Sequence, residues 1–528
     1  MTQPTIISVD PDGAGSGGPI SAGRMALFLL LLVLVAPAMG FFIVVALPIA
    51  IRAFIFILLA LYLANVALMP KRPEGSAAAS RRVLLCTLCV LVFWPTYAVF
   101  TVSGMPSIDP RKVSLLLLLL TVIYTCLNVE FTLTALRRTL ANAGVLTMLL
   151  VFFAAWRFAS VLASDNMEKA VIQFGWELLT FFMILVATIV SLRTPRDMQA
   201  AMSAMTVCVA IVSLVAIFER FYGSNFISPL APRNLEFDAA QALALQAKIR
   251  EGANRVQATF EHPMALAEFL VLMAPIVVFI ALRHQRRAMR LFALATLPML
   301  SAAVFLTQTR SAFFALAGMV VLGAILWMAK SLRTQTLGFR GYLSFVGIAI
   351  IIAILASAAG IATTLVSGRS EAEQQSSLER VEQIKRAESV IEKAPLFGAG
   401  VGLGNDTIGF NAFKGRLYVD NYYLTLALDS GLPGAFLFIL ILLTAGITGV
   451  MLFFSRSGEV AEMAGCLALS IFALGLTKAV LSIHYNLTYA YMVIGLLIVL
   501  KEQREAKHES GALEQYRPSG TTGLHRYP

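Results

Sequence analysis

Between residues 25 and 500 the sequence returns repeatedly to apolar runs of about 20 residues, the length a helix needs to cross a hydrocarbon core. Leu291–Leu306 and Ala312–Met328 are two such runs, parted only by a short polar break. In lipid no water satisfies backbone N–H and C=O groups, so such runs fold as helices that close their own hydrogen bonds. This pattern confines the chain to an all-α class, a polytopic transmembrane helical bundle. Composition agrees: 58% of the 528 residues are hydrophobic and 13% are charged, where a soluble protein carries about a quarter charged.

Reading the runs in order gives about 14 spans, near residues 25–46, 48–69, 83–103, 113–135, 144–161, 170–192, 199–220, 264–282, 290–308, 311–329, 342–366, 431–453, 462–482 and 486–500. Pro48 and Arg52 interrupt the first stretch, so the division there is the least defined. The expected organisation is a disordered cytoplasmic tail over 1–24, a transmembrane domain over 25–500 and a second disordered cytoplasmic tail over 501–528. The first apolar run continues into further spans, so it reads as an anchor and not as a cleaved signal.

Net charge is +11. The basic residues sit mostly in short loops, where membrane orientation demands them, so nucleic acid is not the expected partner. Lys71, Arg72, Arg81 and Arg82 mark one basic loop; Arg137 and Arg138, Arg193 and Arg196, Arg283 to Arg290, and Lys330 to Arg340 mark others. Basic loops alternate with loops that are mostly not basic, which puts both tails in the cytoplasm. Arg111 and Lys112, beside Asp109, break the alternation. The five cysteines lie inside apolar runs and suggest neither a disulfide framework nor a zinc site.

Two outer loops are long, 221–263 and 367–430, and long loops in a compact fold usually carry function. In the second, Leu378, Val381, Ile384, Ala387 and Ile391 recur at helical spacing, the pattern of an amphipathic helix lying on the outer membrane surface.

Ionisable residues inside spans are functional candidates. Arg157, Glu177, Glu268, Lys478, His484 and Arg310 all fall near outer span ends, whereas Glu130 lies near an inner end. Arg157 and Glu177 also read as a plain ion pair, and Lys478 as a side chain that snorkels to the interface. Arg310 stands between two apolar runs; a guanidinium keeps its proton, so water or an anion must meet its charge. His262 just before a span reads either as a helix cap or as a group at the mouth of a site. Glycines alternate at Gly398, Gly400, Gly402 and Gly404, a spacing that lets backbone approach phosphate or simply makes a flexible loop. The strand–turn–helix setting of a dinucleotide motif is missing. Asp420 reads either as an N-cap or as a carboxylate that orients or deprotonates a sugar hydroxyl.

Four segments in order resemble the O-antigen ligase and polymerase family, the bacterial membrane glycosyltransferases of surface polysaccharide pathways. Arg255 to Pro263 resembles its arginine then Gly-Thr-Phe-x-x-Pro-Asn segment. Thr309-Arg310-Ser311 resembles its (Thr/Ser)-Arg-(Ser/Gly) junction. Arg380 to Gly404 resembles its arginine, helix and Pro-x-x-Gly-x-Gly stretch. Asp420 to Gly434 resembles its (His/Asp)-Asn-x-Tyr-Leu…Gly-x-x-Gly segment. The likeness spans about residues 200–450. Ala258 stands where the family often has Gly, Met264 where it often has Asn, and Asp420 where its ligases have His. The aspartate is more like polymerases of exopolysaccharide pathways.

The resemblance implies a donor glycan on undecaprenyl diphosphate and a hydroxyl acceptor on another lipid-linked chain (polymerase) or on lipid A-core or protein (ligase). It implies no cofactor, nucleotide sugar or metal. The setting it implies is the inner membrane with a periplasmic site, among membrane lipids, with a flippase and a chain-length regulator as partner proteins. A departing diphosphate needs cations, and arginines bind its oxygens bidentately. The expected diphosphate ligands are therefore Arg255, Arg310 and Arg380. Asp420 is the expected base, with His262 a second candidate, and Gly398, Gly400, Gly402, Asn421 and Tyr423 form a substrate loop. A lipid-linked glycan transporter is the alternative from another class.

Overall fold

The computed structural model describes Tyr62, Ala64 and Val66, residues 77–95, 98, 109–225, 249–250, 253–333, 371–408, 410–411, 415–416, 419–455, 457–482 and 484–515. The chain divides into two compact units, residues 1–69 with 101–107, and residues 70–100 with 108–528. In the first, the described residues Tyr62, Ala64 and Val66 are helical. The expected spans 25–46, 48–69 (apart from those three residues) and 342–366, the tail over 1–24 and most of loop 221–263 lie outside the described residues.

The second unit is helical. Its helices are α1 (Ala77–Phe93), α2 (Pro110–Asn128), α3 (Thr132–Ala143), α4 (Val145–Leu162), α5 (Met167–Ser191), α6 (Pro195–Tyr222), α7 (Pro263–Arg283), α8 (Arg287–Leu306), α9 (Arg310–Arg333), α10 (Glu371–Lys393), α11 (Gly404–Thr407), α12 (Tyr422–Ser455), α13 (Gly458–Lys478) and α14 (Leu487–Gln515). Two antiparallel pairs of two-residue strands join Ile249–Arg250 to Ala253–Asn254 and Phe410–Asn411 to Gly415–Arg416. Among the described residues nine helices are long and apolar enough to cross a membrane, so the chain is a multi-pass membrane protein.

α7 is apolar all round apart from the buried Glu268, and 83% of its most apolar window is buried, against 17% for α9. A helix without a polar face belongs at the centre of a bundle, and α7 packs against α6, α8 and α13. The outward faces of α2, α4 and α8 keep Leu117, Phe152 and Leu291 exposed, as lipid-facing helices do.

Sequence and structure differ at four places. The expected span 113–135 ends at Asn128; Phe131 turns left-handed at φ 60°, and the polar α3, with Arg137 and Arg138, follows as a separate helix. The span expected at 431–453 begins at Tyr422 and bends at Ser430–Gly431. α14 runs on through Lys501-Glu-Gln-Arg-Glu-Ala into the expected tail, because these residues favour helix and dock: Lys501 donates to Ala143 O at 3.2 Å and Gln503 to Arg193 O at 2.6 Å. On α10, Ala387 is buried and Ile391 half-buried, but Ile384 is exposed. Ala387 packs with Ile408, Val419 and Leu428, so that face docks on protein.

The helices sort the loops. The described basic residues Arg81, Arg137, Arg193, Arg283 and Arg333 fall at one end of this unit, with Arg81 and Arg137 inside α1 and α3 and not in the loops expected from sequence. Its other end collects the termini of α1, α2, α4, α6, α8 and α13, the segment 253–262 and the stretch 394–421.

Candidate functional site

At that second end, the segment from Arg255 to His262 is fastened from three sides. The Glu219 carboxylate, near the end of α6, accepts the N–H of Gln257 at 3.1 Å and of Ala258 at 2.6 Å. Thr259 Oγ1 donates to Val92 O at 2.7 Å. Arg255 Nε donates to Thr307 O at 2.9 Å, and its Nη2 to Thr309 Oγ1 at 3.2 Å. Ala258 holds φ at 49°, in the left-handed region that glycine enters at less cost.

These bonds bring two of the expected diphosphate ligands together. Arg255 is bonded to the residue immediately before Arg310, and Arg310 is exposed at the start of α9. His262 caps α7: its Nδ1 accepts the N–H of Met264 at 3.2 Å.

Arg380 lies on α10, where only the backbone is described. One turn further, Gln383 Oε1 accepts the N–H of Asp420 at 3.4 Å, which sets Asp420 beside the helix of Arg380. Asp420 does not cap α12. Asn421 does, accepting the N–H of Leu424 on Oδ1 at 3.2 Å. Tyr423 donates its hydroxyl to Gly475 O at 2.8 Å, so of the expected substrate loop Asn421 and Tyr423 have structural bonds.

The glycine stretch is pressed onto the bend of α12. Ala399 N–H donates to Leu428 O at 2.8 Å, Gly400 N–H to Asp429 O at 3.0 Å and Leu432 N–H to Pro395 O at 2.9 Å. A Cβ at Gly398 would strike Leu428 O, and one at Gly431 would strike Leu396 O; both residues have positive φ, 63° and 70°. Close backbone packing requires glycine at these two positions. Gly400 and Gly402 also have positive φ.

Beneath the loop lies a buried ionic cluster. Arg157 pairs with Glu177 through two hydrogen bonds and reaches Asp429 Oδ2 at 3.4 Å and Ser430 Oγ at 3.3 Å. Asp429 Oδ1 accepts the N–H of Gly404 at 2.8 Å. Ser160 Oγ lies 2.7 Å from both Phe397 O and Asp429 O, and Ser164 Oγ donates to Ala399 O at 2.9 Å. Arg157, Ser160 and Ser164 follow one another along one face of α4 and its C-terminal turn. The ion-pair reading of Arg157 and Glu177 therefore holds, with Asp429 as a further partner. Asp429 carries no spacing signal in the sequence.

A second buried cluster lies between α7, α13 and α14. Glu268 accepts from Lys478 at 2.9 Å, from Thr477 at 3.0 Å and from Asn486 at 2.9 Å. Glu268 and Lys478 are both 0% exposed. Lys478 does not snorkel: its charge is met by Glu268, and its Nζ lies 5.2 Å from the Tyr422 ring centre.

His484, between α13 and α14, is neutral at ordinary pH. Burial, with the charges of Lys478, Arg111 and Arg157 nearby, pushes its imidazole from 6.5 down to about 4.

At this end Arg255 bonds the residue before the exposed Arg310, Asp420 lies beside the helix that carries Arg380, and two internal ion pairs hold the elements around them.

Comparison with known proteins adds one match. A family model described as O-Antigen ligase matches residues 295–439. That range runs from the second half of α8 through α9, α10 and the glycine stretch into α12, and includes Arg310, Arg380 and Asp420. No curated protein matches.

Proposed function

We propose that this chain, whose residues 295–439 match the O-antigen ligase family model, polymerises undecaprenyl-diphosphate-linked oligosaccharide repeat units into a surface polysaccharide. The reaction takes place at the periplasmic face of the inner membrane, with both termini cytoplasmic. The observation that carries this reading is the Arg255–Thr309 hydrogen bond, which sets two guanidinium-bearing residues at one junction. A lipid-borne diphosphate meets such a junction at the membrane boundary, where guanidiniums bind its oxygens in pairs.

In the proposed reaction the acceptor hydroxyl attacks the anomeric carbon of the donor sugar. Its proton passes to Asp420, the new C–O bond forms, and the bond from the anomeric carbon to the phosphate oxygen breaks. Undecaprenyl diphosphate leaves with the electron pair. Arg255, Arg310 and Arg380 stabilise the charge that develops on it. His262, committed through Nδ1 to capping α7, remains a second candidate base through Nε2. The Gly398–Gly402 stretch, with Asn421 and Tyr423, shapes the floor under the sugars.

The family description favours a second reading, ligation of the glycan to lipid A-core or protein. Aspartate at 420 in place of the family ligases' histidine favours the polymerase. A transporter is disfavoured because the candidate site residues gather at one end of the bundle and not along a path to the midplane. Purified protein incubated with a defined undecaprenyl-linked oligosaccharide tests the choice. A ladder of longer lipid-linked chains is expected. Transfer only to an added lipid A-core acceptor would establish the ligase, and translocation without a new glycosidic bond would establish the transporter.

A further inference from the structure

A small pocket opens at the motif end of the bundle, lined by Trp94, Arg111, Thr259, Glu261, Tyr485 and Asn486 among others. Its open volume is about 20 Å³, the space of one water-sized group. Two of its groups lack partners. Arg111 Nε and Asn486 Oδ1 are buried without a hydrogen bond. Asn486 is 0% exposed, and its amide nitrogen is committed to Ala265 O at 2.8 Å and Glu268 Oε2 at 2.9 Å. Those two acceptors forbid the flipped amide, so the orphan atom is an acceptor. Arg111 is held with its guanidinium carbon 5.5 Å from the Tyr485 ring centre.

Unsatisfied buried polar atoms cost about 1–3 kcal/mol each and call for an explanation. Here one donor and one acceptor share one enclosure. A group that completes both must accept from N–H and donate to C=O at once, and a hydroxyl does that. A phosphate or carboxylate would satisfy Arg111 but would meet Asn486 Oδ1 and the Glu261 side chain with lone pairs only. An ammonium would do the reverse. The pocket therefore selects a neutral group that both donates and accepts. Trp94 and Tyr485, both half-buried, supply ring surface at its edge, suited to the apolar face of a pyranose.

Arg111 is also the residue that breaks the alternation of basic and non-basic loops. Insertion does not require a cation at this end, and the guanidinium supplies a hydrogen-bond donor there. The pocket shares Thr259 to Glu261 with the segment that carries Arg255 and His262.

We propose that this pocket is a sugar subsite, in which Arg111 and Asn486 hydrogen-bond one hydroxyl of a neutral pyranose unit in the glycan. That the pyranose arrives as part of a lipid-linked glycan rests on the transferase reading; binding of a free glycoside does not.

The test is saturation-transfer NMR on the purified full-length protein in detergent micelles. The probes are methyl glycosides of glucose, galactose, mannose, 6-deoxygalactose and N-acetylglucosamine, with sodium phosphate as the anion control. At least one glycoside is expected to bind, and Arg111→Lys and Arg111→Met to weaken it by about tenfold or more. Thermal melting reports whether these variants are folded. On the wild-type protein, deoxy analogues of the bound glycoside are expected to lose about tenfold at one ring position only. Absence of any glycoside signal above empty micelles would overturn the subsite and leave a water pocket. So would equal binding by folded Arg111 variants, uniform tolerance of every deoxy analogue, or displacement of the glycoside by phosphate. Arg310→Ala is expected to bind the glycoside as the wild type does. If glycoside binds as described but no lipid-linked glycan is ever extended, the transferase reading fails and the subsite stands.

Discussion

The Glu219 carboxylate accepts the backbone N–H of Ala258 at 2.6 Å while Ala258 holds φ at 49°. A non-glycine residue in the left-handed region costs about 1 kcal/mol, and the carboxylate bond helps to hold it there. Ala258→Gly should therefore raise or preserve the melting temperature in detergent and leave polymer length unchanged. Glu219→Ala should do the opposite. It strands the buried N–H groups of Gln257 and Ala258, at about 1–3 kcal/mol each, and lets the Arg255 segment drift. Equal melting curves for wild type and Glu219→Ala, measured by fluorescence-detected size exclusion after heating, would refute this.

Arg255 and Arg310 should separate by stability. Arg310 is exposed at the start of α9, so Arg310→Ala should melt like the wild type yet stop polymer growth in cells that express equal protein. Arg255→Ala also removes the donor to Thr307 O, and should lower both melting temperature and activity. Full-length polymer in the Arg310→Ala strain would remove that residue from the diphosphate site.

Much of the bundle was legible because lipid leaves few choices. α6 and α7 follow their apolar runs to within a few residues, and the cap at His262 is visible in the dipeptide His-Pro. Arg310 was legible for the same reason, as a charge with no loop to hold it. Asp429 was not. Its place under the glycine stretch depends on the bend at Ser430–Gly431, a tertiary event between α12 and residues 395–400 that periodicity does not encode. Asn486 was hidden for a similar reason, since its partners, Ala265 and Glu268, are remote in sequence. Arg111 was seen as a charge out of place, but its pocket is assembled from α1, the 253–262 segment and the turn before α14.

The Arg157–Glu177–Asp429 cluster predicts a steep loss of stability. Removing Arg157 leaves the carboxylates of Glu177 and Asp429 buried and unpaired, which costs about 3–5 kcal/mol, whereas removing Asp429 leaves Arg157 paired with Glu177 and costs less. Arg157→Met and Asp429→Asn should therefore express poorly and melt earlier than the wild type, with Arg157→Met the worse because it strands two carboxylates. Asp429→Asn keeps the amide-sized side chain and the Gly404 acceptor. If Arg157→Met melts like the wild type, the cluster does not brace the loop.

Asp420 and Asn421 are neighbours with different roles. Asn421 caps α12 through the N–H of Leu424, so Asn421→Ala should cost about 0.5–2 kcal/mol of stability and leave residual polymer. Asp420→Asn should leave the melting temperature in place and slow elongation in vitro by about 100-fold or more, the contribution of a general base. Undiminished elongation by Asp420→Asn would eliminate it as the base.

His484 predicts the response to acid. Its imidazole titrates near 4 in the fold, because burial and the charges of Lys478, Arg111 and Arg157 oppose protonation, against 6.5 in the unfolded chain. Between those two values the unfolded chain binds more protons than the folded one, so stability rises with pH across that window and is level above it. The melting temperature should fall as pH drops from 6.5 toward 4, and His484→Gln should flatten part of that slope. Near neutral pH the imidazole carries no charge in the fold, so His484→Gln should not shift the pH dependence of elongation between about 7 and 8. A melting temperature as steep in acid for His484→Gln as for the wild type would place the acid sensitivity on other groups.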